Sequence, residues 1–224
     1  MSNLDVAAAP SKDDGPVVRR LGCVDYTRTW EDMRSFTAAR DADTPDELWD
    51  VRHAPVYTLG LAGRASHVLR ANGIPIVRCD RGGQVTYHGP GQVVVYTLFD
   101  LRRLGIGVRE FVASIERAVI ETLDGYGIDG RTRPGAPGVY VGDAKIASLG
   151  LRIRNGCSYH GVALNVDVDL SPFRDIDPCG FPGQAVTRIA DLVHDSGGPD
   201  DVARRLTERL AGVVGALREN RSSS

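Results

Sequence analysis

The stretch VYVGDAKIASLGLRIRNGCSYHGVALNV, Val139 to Val166, decides the architecture. It reads as a meander of strands, with Gly142-Asp143 and Asn155-Gly156 as the turn signals between them. Upstream, Gln92 to Asp100 (QVVVYTLFD) is a near-continuous apolar run, the pattern of a buried strand. Between the two lies a helix over Val108 to Gly125. Phe111, Val112, Ile115, Val119, Leu123 and Tyr126 share one face, and Gly125 and Gly127 stop it. Downstream, a helix is expected over Asp200 to Leu217, with Val202, Leu206, Leu210, Val213 and Leu217 on one stripe. Towards the N-terminus, Arg19 to Tyr26 reads as a strand and Thr27 to Arg40 as a helix. Glu47 to His53 and Val56 to Leu59 read as strands interrupted by Pro55, and Ile74 to Cys79 as a short strand. Strands cluster and do not alternate strictly with helices, which favours an α+β fold over a doubly wound one. There is no repeat and no linker. Residues 1–16 are expected to be a tail, 17–218 a single catalytic domain, and 219–224 a second tail.

The composition excludes several classes. The 224 residues suffice for one domain with a sizeable core. The net charge of -2 provides no general attraction to nucleic acid or an anionic membrane. No run of 18 apolar residues suggests a membrane span, and no basic start before an apolar run suggests a secretory signal, so the cytoplasm is the expected compartment. Cys23, Cys79, Cys157 and Cys179 form no CxxC pair, so neither a zinc site nor a thioredoxin-like motif is expected.

Three glycine-rich stretches stand out. The first, Arg81-Gly82-Gly83-Gln84-Val85-Thr86-Tyr87-His88-Gly89-Pro90-Gly91, lets a ligand approach the backbone, with Arg81 and His88 as donors at either end. A plain hairpin with glycine turns explains the same residues. It is not a phosphate loop, because G-x-x-x-x-G-K is absent. The second, GDAKIASLG at Gly142 to Gly150, places Lys145 at the start of a strand. Strict alternation puts Lys145, Ala147 and Leu149 on one face, and Ile146 and Ser148 on the other. Of 27 basic residues only Lys12 and Lys145 are lysines, and Lys12 falls in the expected tail. Arginine cannot give up its proton in a protein and lysine can, so a titratable amine at 145 is a candidate catalytic group; a solvated strand-edge lysine is the plain alternative. The third, Asp177-Pro178-Cys179-Gly180-Phe181-Pro182-Gly183, presents a cysteine between Pro and Gly, unlike Cys79 and Cys157 in their apolar segments. Such a cysteine is accessible, as a nucleophile must be.

Together these stretches resemble the lipoyl(octanoyl) transferase family. The resemblance rests on PVYTLG at 55–60, RGGQVTYHGPGQ at 81–92, APGVYVGDAKIASLGLRI at 136–153, SYHGVALNVDVDLSPF at 158–173 and DPCG at 177–180, and it covers roughly residues 20 to 190. It implies the fold of the biotin and lipoate protein ligase catalytic domains, a mixed, largely antiparallel sheet flanked by helices. It implies transfer of an octanoyl group from octanoyl-acyl carrier protein to a lysine of lipoyl domains, those of 2-oxo acid dehydrogenases and the glycine cleavage H protein, with no cofactor and no metal. Cys179 aligns with the acyl-thioester cysteine and Lys145 with the lysine that activates it. Arg81, Gly82, Gly83, Gln84, Val85, Thr86, Tyr87 and His88 align with substrate-binding segments, as do Ser148, Leu149 and Gly150, and Gly161, Val162 and Ala163. The chain departs from the pattern at Arg52-His53-Ala54-Pro55, where an acidic residue is expected before the histidine.

The chemistry suits these residues. A free cysteine is only about 3% thiolate at pH 7, and a nearby ammonium raises that fraction; alternatively, a neutral Lys145 takes the thiol proton as general base. His88 and His160 are further candidates to orient the site. Gly82, Gly83 and Gly161 are expected to wall an acyl slot, with Leu149 and Val162 or Ala163 adding apolar surface. An ATP-dependent lipoate ligase, a thioester hydrolase or amidase using Cys179 with His160 or His88, and a non-catalytic carrier-domain binder are the competing readings.

Overall fold

The structure is a computed structural model that describes residues 15–177 and 184–222. Most of the expected tail 1–16, and Cys179 itself, lie outside the described residues. Val139 to Val166 folds as β7 (Gly138–Val141), β8 (Ala144–Arg154) and β9 (Cys157–Asn165), turning at Gly142-Asp143 and Asn155-Gly156 as the two dipeptides predict. These strands join β1 (Val17–Cys23), β2 (Glu47–Arg52) and β6 (Gln92–Leu98) in a six-stranded sheet of order β1-β2-β6-β9-β8-β7. Within this sheet only the β1–β2 pair is parallel among the described residues. A second sheet carries β3 (Val56–Leu59), β4 (Ile76–Arg78) and β5 (Val85–His88) in the order β4-β3-β5. The fold is therefore α+β, a mixed and mostly antiparallel sheet flanked by helices. Pro55 does more than interrupt a strand: β2 and β3 on its two sides belong to different sheets.

Alternation along the strands divides the core. Val93 and Val95 of β6 face α3 (Val108–Asp124) and α4 (Gly198–Ser222), whose Phe111, Ile115, Val119, Val202 and Leu206 are buried with them. At about 1.5–3 kcal/mol for each large apolar side chain removed from water, this layer is a main source of stability. Val94, Tyr96 and Leu98 point the other way, onto Met33 of α1 (Tyr26–Ala39). A short helix, α2 (Leu101–Leu104), which the periodicity does not reveal, is capped by Asp100 accepting from the Arg102 and Arg103 amides. The first strand ends at Cys23, and Tyr26 instead opens α1, because Asp25 accepts from the Arg28 amide as N-cap. The last helix continues past Leu217 to Ser222. Among the described residues, no helix is long and apolar enough to cross a membrane.

The expected facing of β8 is corrected by a bulge. Val139 pairs with Ala147 and Tyr140 with Lys145, so β8 holds one residue more than β7 over this interval. Ile146 and Ala147 consequently both enter the helix-side core, and Lys145 shares a cavity wall with Ser148 and not with Ala147.

Candidate active site

A cavity of about 280 Å³ follows β8 and β9 from Lys145 to His160. Gly82, Gly83, Gln84, Val85 and Thr86 line it, as do Ser148, Leu149 and Gly150 from β8 and Gly161, Val162 and Ala163 from β9. Three separated stretches of sequence thus meet at one place. Arg81 and His88 also line it. Tyr87 does not: on the opposite face of β5, its ring packs on Tyr57 and Phe173.

Arg81 lines the cavity and also braces the segment that follows it. Its guanidinium makes hydrogen bonds to the Thr58 hydroxyl and carbonyl and to the Gly82 and Gln84 carbonyls, at 2.6–3.1 Å. With the Gly60, Leu61 and Ala62 amides bonded to the Gln84, Arg81 and Gly83 carbonyls, this fixes the shape of the glycine segment. Removing this buried guanidinium would unfasten that segment.

Lys145 is buried, and its Nζ donates to the Pro137 carbonyl at 3.0 Å while lying 5.2 Å from the centroid of the Tyr140 ring. Its backbone is held from the other side: its N–H donates to the Ala185 carbonyl, and its carbonyl accepts from the Thr187 amide. Gln184 and Val186 line the cavity, so the chain that follows the DPCG motif returns beside Lys145.

The far end of the cavity is polar. Asp80 accepts from Trp30 Nε1 at 2.8 Å, from His160 Nε2 at 3.0 Å and from the Tyr159 hydroxyl. Burial pushes the Asp80 carboxyl up, but the bonds from His160, Tyr159 and Trp30 outweigh it and hold it well below the usual carboxylate range. With Nε2 directed to a carboxylate, Nδ1 of His160 is a buried acceptor without a partner among the described residues. His160 has φ 61°, a conformation costing a non-glycine residue about 1–3 kcal/mol. The β6–β9 ladder ends there, at Tyr96–Gly161, and Ser158 and Thr97 side chains complete the hydrogen bonds beyond it. His160 pairs with Leu151, six residues along β8 from Lys145, so roughly 20 Å separates the two positions along the strand.

His88 is stacked on Tyr26 and bonded through Nδ1 to Gln92 Oε1 at 2.8 Å. Burial first, then the neighbouring His53, push its pKa down to about 3. Burial lowers His53 and His160 in the same sense. In the unfolded chain these imidazoles titrate near about 6.5, so between that pH and their lowered native values the unfolded state binds more protons. Their contribution to stability is complete above pH 6.5 and is lost as pH falls. The unfolding free energy from urea titration should therefore drop from pH 7.5 to pH 5.5, with His88 alone approaching a slope of about 1.4 kcal/mol per pH unit at the acid end. A flat profile over that range would contradict the neutral assignment.

Residues 25–211 match the model of the lipoyl protein ligase A/B catalytic domain. The chain is 60% identical over 200 residues to an octanoyltransferase of Dechloromonas aromatica, covering 87% of this chain and 97% of that one. The chain belongs to the octanoyltransferase family. It is 57% identical to the octanoyltransferase of Saccharophagus degradans, over 88% of this chain and 93% of that one. The family is one of acyltransferases. In fold, the chain is similar to a lipoate-protein ligase A bound with ATP (TM-score 0.75, 18% identity, covering 90% and 86% of the two chains). It is also similar to the biotin protein ligase of Aquifex aeolicus (TM-score 0.55, 10% identity, 92% and 71%).

Sequence reasoning missed several residues of this octanoyltransferase-family site. Tyr26, Val94, Tyr96 and Phe173 line the cavity although none belongs to a glycine-rich motif. Their signal was only apolar periodicity, which cannot distinguish core from cavity wall. The departure at Arg52 has a structural use: its guanidinium bonds to Asp50 and reaches the Pro199 carbonyl and Asp200 at the start of α4.

Proposed function

We propose that this acyltransferase moves an octanoyl group from octanoyl-acyl carrier protein to the acceptor lysine of a lipoyl domain through a thioester on Cys179. The 2-oxo acid dehydrogenases and the glycine cleavage H protein supply the acceptor domains, and the reaction runs in the cytoplasm without ATP, metal or cofactor. The observation that carries this reading is a buried amine at one end of an apolar cavity, bonded through its own backbone to the segment that follows Cys179.

The Cys179 thiol attacks the carbonyl carbon of the donor thioester. Its proton passes to the leaving carrier thiol, and an enzyme thioester of nearly equal energy remains. The acceptor ε-amine then attacks, a C–N bond replaces the C–S bond, and the amine proton returns to Cys179. Thioester to amide is downhill, so no activation of a free acid is required. Lys145 serves either as an ammonium that favours the thiolate or as the base that relays these protons. The octanoyl tail would lie against Gly82, Gly83, Leu149 and Ala163, where burial at about 0.8 kcal/mol per CH2 contributes about 5 kcal/mol.

Intact-protein mass spectrometry tests this directly. Incubation with octanoyl-acyl carrier protein, without ATP, should add one octanoyl group, which a lipoyl domain then discharges. Acceptor modification that requires ATP and free octanoate, with no enzyme adduct, would identify a ligase. Release of free octanoate without an acceptor would identify a hydrolase.

A further inference from the structure

The Pro137–Gly138 peptide sits between two buried side chains. Its carbonyl accepts from Lys145 Nζ at 3.0 Å, and its N–H donates to Oε1 of Glu116 at 2.9 Å. The peptide is trans, so the two bonds leave it in opposite directions. Glu116 lies on the buried side of α3 beside Ile115, and among the described residues it makes no ion pair. A carboxyl placed in a core is costly unless its hydrogen bonds are satisfied. Gly138 has φ 135°, and a Cβ there would stand 2.6 Å from the Ala147 carbonyl oxygen and 2.8 Å from Lys145 Cε. Only glycine lets the lysine stem lie against this peptide.

We propose that Glu116 is a positioning residue for Lys145, acting through the Pro137–Gly138 peptide. By accepting the Gly138 N–H it fixes the peptide plane and strengthens its carbonyl as the acceptor that holds Nζ. The catalytic amine is thereby aimed from α3, an element that no motif of the family pattern includes. This rests on the reading of Lys145 as partner of the acyl-carrying thiol.

The test is single-turnover octanoylation of the full-length enzyme, followed by intact mass against donor concentration. Glu116→Ala, Glu116→Asp and Glu116→Gln are compared with wild type and with Lys145→Ala. Glu116→Ala should lower the limiting rate by about 10- to 100-fold, with half-saturating donor concentration little changed. Glu116→Asp keeps the charge but is one methylene short and should be similarly slow. Glu116→Gln keeps an oxygen where Oε1 stands and should recover most of the rate. If the alanine variant does not fold, the contrast between Asp and Gln still decides. A wild-type rate in Glu116→Ala, or a fast Asp beside a slow Gln, overturns the inference. If Lys145→Ala itself acylates normally, the reading of Lys145 fails first; a slow Lys145→Ala beside a normal Glu116→Ala sinks only the positioning role.

Discussion

Octanoyl transfer should vanish in Cys179→Ala and fall by about 10²- to 10⁴-fold in Lys145→Ala, the range a positioned acid–base group contributes. The alanine at 179 removes the atom that carries the acyl group. At 145 the loss is of another kind, because the thiol remains but no amine stands at the end of the cavity. Tyr140 and Pro137 would line an apolar gap, and the thiol would depend on its own small thiolate fraction. Lys145→Arg separates the two roles. Arginine keeps the charge but cannot accept a proton, so recovery of acylation in this variant identifies an ammonium, and continued loss identifies a base. Steady-state transfer and intact mass on the same samples check the prediction. Unimpaired acceptor modification by Cys179→Ala would remove the covalent step from the mechanism.

Gly161→Ala should be the most damaging single methyl group in the cavity. A Cβ at this position would lie 2.1 Å from the Val95 carbonyl oxygen and 3.0 Å from Tyr96 Cα, both backbone atoms of β6. Neither can step aside without parting β6 from β9, the central pair of the large sheet. Overpacking of a core typically costs about 1–3 kcal/mol, and a clash with backbone belongs at or above the top of that range. Chemical denaturation should show a loss of about 3 kcal/mol or more, or insoluble protein. Full stability would mean that β6 and β9 can separate locally at no cost. Gly161 therefore lines the cavity, but its missing side chain is required first by the sheet behind it.

The hairpins were legible because Gly142-Asp143 and Asn155-Gly156 specify tight turns regardless of distant partners. The α3 helix was legible to within a residue, because its apolar face keeps one period over its whole length. Likewise the first two glycine-rich stretches both contribute to the cavity wall. What escaped depends on contacts distant in the chain. The bulge that turns Ile146 into the core follows from the pairing of β8 with β7, and no dipeptide announces it. The bonds of Arg81 to Thr58, 23 residues away, are set by the fold. Asp80, Trp30, Tyr159 and His160 come from three separate segments, and their convergence has no signature in spacing. The partnership of Glu116 with a peptide 22 residues away is of the same kind.

The two backbone bonds between Lys145 and the 185–187 segment make the residue proposed as reagent serve also as a fastening. A displacement of this segment would pull on the lysine's own main chain. For anyone exchanging loops between members of the family, the transplant unit is accordingly longer than the cysteine motif: it has to run on through Thr187, or the graft will arrive without its latch.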